Sequence, residues 1–281
     1  MIRLSTLVLI AILLALSKFV CAEVGTTLEQ ARAGETAELK VLWVASEGWA
    51  QLDADGQPEG LTIAIIQRFA DWLATEHGLN VNLEFVEEDD WRRFYGRVRD
   101  GSGGVFGLGN VTITEARREE LAFSPPYVTN VAVLISRAGD AEISSPSALP
   151  EIMAGRTGLG FAGTLHEERL RELAARYWPE MPLELGHSND ELVQAAAAGT
   201  HFAYVDGYNY YRARSRGLEI RRHPALDDPG EQFGIIMPRN NDWQDLLDDF
   251  FAAGGGLLQS RWYRDAMHQY LGAEIAELLA P

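Results

Sequence analysis

Cysteine is nearly absent. Cys21 is the only one in 281 residues, and it falls in a stretch read below as a leader, so the remainder carries no disulfide framework. The six histidines are scattered with no His-x-x-x-His pair, which argues against a metal centre and leaves no cofactor expected. Nucleotide chemistry is also thinly supported. Gly101, Gly103, Gly104, Gly107 and Gly109 are dense, but they precede or fill a strand instead of following one, and no Gly-Lys-Ser step occurs. No Gly-x-Ser-x-Gly elbow is present. Beyond the N-terminus no hydrophobic stretch is long enough to cross a bilayer. Basic charge is in deficit: 24 Lys and Arg against 41 Asp and Glu give a net charge of −17. That argues against DNA, RNA and anionic membrane surfaces as partners, and says little about a pocket, whose sign can differ from that of the whole surface.

What is present begins with a leader. Arg3 supplies a positive start, and residues 7–16 form an apolar run too short for an ordinary membrane-spanning helix. Val20 and Ala22 stand three and one residues before a cut that would leave Glu23 as the mature start, so residues 1–22 read as a secretory signal and the protein as periplasmic. Cys21 raises lipidation, but Lys18-Phe19-Val20 lacks the small residue such processing wants beside the cysteine. Losing Arg3 and Lys18 takes the charge from −17 to −19 and leaves 259 residues, enough for two lobes of ordinary size.

Residues 23–37 are polar and read as a loose leader of the mature chain. After them, strand and helix alternate. Strands are expected over 39–45, 81–85 and 105–108. Helices are expected over 61–77, where Ile65, Ile66, Phe69, Trp72 and Leu73 repeat at helical spacing, and over 91–99. Residues 48–60, between the first strand and the first helix, read as a loop. The second half repeats the plan, with strands over 130–137, 156–161, 201–205 and 233–238. Its helix at 188–198 opens with the capping box Ser188-Asn189-Asp190-Glu191. Such alternation implies an α/β fold with parallel pairing and crossover helices. Ligands of open α/β sheets sit beyond the carboxyl ends of strands.

The densest chemistry lies in residues 109–127. Thr112 and Thr114 stand ahead of a short charged helix, and Arg117 and Arg118 are expected in its first turn. Free N–H groups make that end positive, so Glu115 suits it and the arginines do not. Either the pair serves an anion held by guanidinium, hydroxyl and backbone N–H together, or it lies on a solvated face paired with Glu119 and Glu120. Two other places have the same double reading. Thr164, after Gly163, opens a helix and can either cap it or meet an anion. Asp206 ends a strand and can cap the next helix or hold an ammonium group.

Thr112-Ile113-Thr114-x-x-Arg117, followed by Phe123, Ser124 and Pro126-Tyr127, resembles the signature of the family 3 extracellular solute-binding proteins, polar amino-acid receptors of ABC importers. The resemblance runs from about residue 39 to about 270. It implies a two-lobed, periplasmic-binding-protein-like (type II) α/β fold with the ligand cleft between the lobes. Lobe 1 would be 38–128, rejoined by 233–281, and lobe 2 would be 129–232, with crossings near Val128 and Gln232. It further implies that Arg117 clamps the α-carboxylate of an amino acid, with Asn110 and Thr112 in ligand-contacting places. Thr164 would also contact the carboxylate, and Asp206 the α-amino group. Trp49 stands where many relatives stack an aromatic on the ligand, although this loop is shorter and a packed core role is the competing reading. Leu165 replaces a frequent polar residue, and Gly60-Leu61-Thr62-Ile63-Ala64 lacks two usual acids.

The expected function is thus a monomeric receptor that binds a small polar solute and delivers it to an ABC permease, without catalysis. Two alternatives remain. One is a prephenate or arogenate (cyclohexadienyl) dehydratase on the same scaffold, with Glu47 or Asp206 as general acid or base. The other is a binding protein that regulates a separate membrane sensor. Because the sequence ends soon after the second lobe, no fused kinase, channel or muramidase domain is expected.

Overall fold

The computed structural model describes residues 22–34 and 36–279; the leader and Cys21 therefore lie outside the described residues. The chain runs α1 (Leu28–Arg32), β1 (Ala37–Trp43), β2 (Gln51–Leu52), β3 (Pro58–Glu59), α2 (Leu61–His77), β4 (Val81–Glu87), α3 (Trp91–Arg99), β5 (Val105–Thr112), α4 (Glu115–Arg118) and β6 (Leu121–Phe123). It continues through β7 (Val128–Arg137), α5 (Leu149–Ile152), β8 (Thr157–Phe161), α6 (Leu165–Tyr177), β9 (Leu183–Gly186), α7 (Asn189–Ala198), β10 (His201–Asp206), α8 (Gly207–Ser215) and β11 (Ile220–Arg222). β12 (Asp228–Pro238), α9 (Gln244–Ala252), α10 (Arg261–Leu271) and α11 (Ala273–Leu278) follow.

The strands join in the order β4-β1-β5-β12-β7-β10-β8-β9, with β6 on β12 and β11 on β7. β4-β1-β5 and β10-β8-β9 are parallel runs, each with crossover helices, and these make the two lobes. Alternating side chains separate each run's two faces. Leu39, Val41 and Trp43 of β1 enter one cluster with Phe69 and Trp243, while Leu42 enters another with Phe94 and Val98. In the second lobe Leu134, Phe202 and Tyr204 face α6, whereas Val133, Ile135 and Val205 face α7 and α8. Both faces are covered, which is why these strands read as nearly continuous apolar runs.

Two long strands connect the halves. β7 and β12 pair antiparallel, with Val128 opposite Phe233 and Thr129 opposite Gln232. Beyond that point β12 pairs with β5 and β6, and β7 with β10 and β11. The two expected crossing points thus lie side by side on one ribbon.

Several local expectations are corrected. Residues 23–37 are not loose. α1 has a full capping box between Thr27 and Gln30 and buries Leu28 and Ala31. The Leu28 N–H donates to Asp242 (2.8 Å) and the Trp243 indole to the Thr26 carbonyl (2.9 Å). The 48–60 loop contains the β2–β3 hairpin, with Gly60 at φ 126° where a side chain would strike the Trp49 carbonyl. β5 extends to Thr112, which places Asn110 and Thr112 on the strand itself. β6 and β9 were not expected, being three and four residues long.

Candidate functional site

A cavity of about 500 Å³ lies between the lobes and is lined by residues of both. From the first lobe come Asn110, Thr112 and Arg117; from the second, Thr164, His166, Asp206 and Tyr208; and from the connecting strand β12, Glu231. The cavity opens beyond the carboxyl ends of β5, β8 and β10, as the topology requires.

Arg117 sits on α4, a single turn capped by the Thr114 hydroxyl, which accepts from the Arg117 N–H (3.2 Å). The helix ends at Arg118, so its one turn is both first and last: the arginines stand in the first turn as expected, but a turn this short has little dipole for them to oppose. Arg117 is distinctive for another reason. Its Nη1 donates to the Thr112 carbonyl (3.0 Å), and its guanidinium lies 5.4 Å from the Trp91 ring centre and 5.9 Å from that of Tyr95. Among the described residues no carboxylate comes within 4.0 Å of it, unlike most arginines of the chain. Burial pushes its pKa below the usual arginine value, partly offset by Tyr95, Glu168 and Glu231. It stays protonated at neutral pH, with donors to spare.

Opposite lies a group of buried acids. Asp206 stands at the N-cap of α8 but makes no side-chain capping bond. Its carboxylate instead accepts from Asn130 Nδ2 (2.8 Å) and the Tyr208 hydroxyl (3.1 Å), with His166 Nε2 at 3.4 Å. The same Asn130 Nδ2 donates to Glu231 (2.9 Å), which also accepts from Arg169 Nη2 (2.6 Å) and the Thr112 hydroxyl (3.3 Å). Two carboxylates are therefore joined through one amide, and Arg169 pairs with one of them while also pairing with Asp228. Burial would lower the Arg169 pKa, but Glu231 and Asp228 outweigh it and raise it. Burial lifts the Tyr208 hydroxyl well above its ordinary pKa, so it serves as a neutral donor.

The residues singled out from sequence fall as follows. Arg117, Asp206, Asn110, Thr112 and Thr164 all line the cavity. Asn110 is held at φ 50°, and its amide is engaged on both sides: Tyr127 donates to Oδ1 (2.9 Å), and Nδ2 donates to Tyr208 (3.0 Å) and Ser46 (3.3 Å). Thr164 is an N-cap, accepting from the His166 N–H (3.2 Å) and donating to the Phe161 carbonyl (2.8 Å). Trp49 is a correction: it does not line the cavity. Its ring is 1% exposed and packs against Tyr208, Tyr127 and Phe233 at 5.1–6.4 Å, a position fixed by the hairpin that shortens its loop. It backs the site through Tyr208. Sequence reasoning missed Asn130, Glu231, His166, Arg169 and Tyr208. The three-residue step from His166 to Arg169 on α6 was a readable signal.

This arrangement, a cation of one lobe and buried acids of the other lobe and of β12 lining one cavity between them, is that of a two-lobed α/β binding fold. Residues 44–273 match the bacterial extracellular solute-binding proteins, family 3, and the chain belongs to that family. Among curated relatives, a membrane-bound lytic murein transglycosylase F of Alkalilimnicola ehrlichii is 29% identical over 219 residues, covering 75% of this chain and 41% of the relative. The chain thus spans about two fifths of that relative's length. Among solved structures, a putative L-cystine ABC transporter from Listeria monocytogenes superposes with TM-score 0.70 at 11% identity, covering 84% of this chain and 97% of the other. An arginine-, lysine- and histidine-binding protein from Geobacillus stearothermophilus gives TM-score 0.64 at 16% identity, with 84% and 96% covered. At these identities the likeness is one of fold.

Proposed function

We propose that the chain is a periplasmic receptor for a small zwitterion, an amino acid or a close analogue, which it delivers to an ABC permease without chemical change. One observation carries this reading: Arg117, with no carboxylate partner among the described residues, shares a cavity with the buried carboxylates of Asp206 and Glu231. A ligand carboxylate meets Arg117 as a bidentate acceptor, and its ammonium group meets Asp206. The family and the amino-acid-binding neighbours support the reading. A thermal-shift panel of amino acids, betaines, ectoines and small dicarboxylates tests it. A ligand at a hundred times its dissociation constant should add about 2.7 kcal/mol of stability; no shift from any zwitterion would sink the reading. Loss of uptake of that same ligand on deletion of the gene tests delivery.

A second reading, a dehydratase acting on a cyclic dicarboxylate, rests on the contact of His166 with Asp206 (3.4 Å) in the cavity that holds Arg117. An acid–base pair beside a carboxylate clamp is what such chemistry needs. Turnover of prephenate or arogenate by the purified protein would select it.

A further inference from the structure

The cavity continues past the clamp along α8. Asn209, Arg212, Ala213 and Arg216 fall three or four residues apart, on one face of the helix and its end, and all four line the cavity. Asp206 stands at the head of the same helix. Six residues of helical rise put Arg212 roughly 9 Å along the axis from Asp206. A ligand whose ammonium group sits at Asp206 has room to lay its side chain along this stripe. This step rests on the reading of Asp206 given above.

The stripe is built for an acceptor. Arg212 has a 12% exposed side chain, and its guanidinium lies 5.8 Å from the Tyr208 ring centre. Its nearest carboxylate, Glu47, is 3.6 Å away, half exposed, and held more closely by Arg216. Arg212 is thus a buried cation with incomplete compensation. Burial lowers its pKa, an effect that Glu47, Tyr208 and Asp190 offset only in part and that Arg216 reinforces. Asn209, three residues earlier on the same face, has a buried Nδ2 with no hydrogen-bond partner among the described residues. One unsatisfied donor, Asn209 Nδ2, and one weakly paired cation, Arg212, therefore stand on the same stretch of cavity wall. Ala213, Val193 and Leu218 supply apolar wall beside them, suited to methylene groups.

We infer that this end of the cavity is a side-chain subsite for amino acids ending in a carboxylate or carboxamide, with Arg212 and Asn209 as its donors, and that it disfavours cationic side chains. The latter would meet two arginines, while of the acids at this end Glu47 is already engaged and Asp190 lies near Arg212. Asn189, at the head of α7, adds a buried acceptor, its Oδ1 also lacking a partner. That oxygen would meet a carboxamide N–H and not a carboxylate, so the two arms differ there.

Calorimetry of the purified protein with L-glutamate, L-glutamine, L-alanine and L-arginine decides it. Glutamate or glutamine should bind at least tenfold more tightly than alanine, with arginine weaker than both. The Arg212→Met variant should shrink the preference over alanine at least tenfold. Arginine binding more tightly than glutamate and glutamine overturns the subsite while leaving the amino-acid receptor intact; so does alanine matching them. Binding of none of the four, nor of any other zwitterion in the thermal-shift panel, overturns the receptor reading and the subsite with it. The ranking on the unmodified protein stands as a test even if the variant fails to fold.

Discussion

Arg92 on α3 and Glu167 on α6 form an ion pair between the lobes, Nη2 to Oε2 at 3.1 Å. The two ends differ in kind. Arg92 is 59% exposed on its side chain, whereas Glu167 is 10% exposed and also accepts the Gly163 N–H (2.7 Å) and bonds from Arg171. Burial would raise the Glu167 pKa, but the Gly163 N–H, Arg171 and Arg92 prevail and hold it below the ordinary glutamate value. Arg92→Ala should therefore weaken ligand binding by only about 1 kcal/mol or less, and less at high salt, because exposed pairs are screened. Glu167→Ala should cost more, since it also frees the loop before Thr164. Calorimetry at two ionic strengths tests the ordering; a larger loss from Arg92→Ala would contradict it.

Arg117→Ala should cost about 2–5 kcal/mol of binding, the range for removing one partner of a buried charge pair. Arg118 is exposed and rests 5.7 Å from the Phe123 ring centre, so Arg118→Ala should leave affinity nearly unchanged. Equal losses at the two positions, measured by calorimetry with the identified ligand, would remove Arg117 from the site.

Arg117 and Asp206 were legible because each sits beside a local signal: a threonine-capped turn, and an acid closing a strand. Asn130 and Glu231 were not, although they contribute as much to the acid group. They are about a hundred residues apart and become neighbours only through the antiparallel pairing of β7 with β12, where they are register partners. Periodicity within a strand carries no information about its partner. β6 and β9 were missed because three or four residues show no alternation to count. α1 had a readable Thr27-x-x-Gln30 box, hidden by its polar surroundings. Trp49 shows the opposite error, since an aromatic in a loop near a strand end reads alike whether it faces a ligand or a core.

Trp49 should matter for stability more than for recognition. Trp49→Ala empties a fully buried site and should destabilise by about 3–5 kcal/mol. Trp49→Phe should cost less, because the indole Nε1 has no hydrogen-bond partner to lose. Denaturant titration gives both values. A large loss of affinity in a stable Trp49→Phe protein would return this residue to the ligand site.

His223 sets a pH dependence away from the cleft. Its ring is 0% exposed; Nδ1 accepts the Ile143 N–H (3.1 Å), which leaves Nε2 to donate to Ser136 (2.9 Å). A second ring proton would face a donor, and burial, with Arg221 and Arg156 nearby, lowers its pKa to about 4. The unfolded chain binds that proton near pH 6.5, the folded chain only near pH 4. The stabilisation is therefore complete above pH 6.5 and is lost as pH falls towards 4, on the order of 3 kcal/mol in all. His223→Asn, which keeps an acceptor for Ile143, should flatten this slope. An unchanged slope in that variant would assign the effect to other groups.

Motion follows from how the charges are divided. Arg117 belongs to the first half of the chain, while Thr164 and Asp206 follow β7, so neither lobe alone neutralises both ends of a zwitterion. On the proposed reading only a closed arrangement makes every charge-assisted bond, so a ligand should shift the population towards it. The connection between the lobes is the β7–β12 ribbon, and a pivot near Val128 and Gln232 would have to release the contacts of Tyr208 with Trp49 and Asn110 and the ion pairs of Glu47 and Glu167 across the cleft. The radius of gyration by small-angle scattering should therefore fall when the ligand is added. An analogue lacking the amino group should still engage Arg117 but lose Asp206, bind weakly and close the lobes poorly. Asp206→Asn should reproduce that loss with the intact ligand. If a tightly bound amino acid left the scattering unchanged while Asp206→Asn kept full affinity, the two-lobe clamp would be the wrong mechanism.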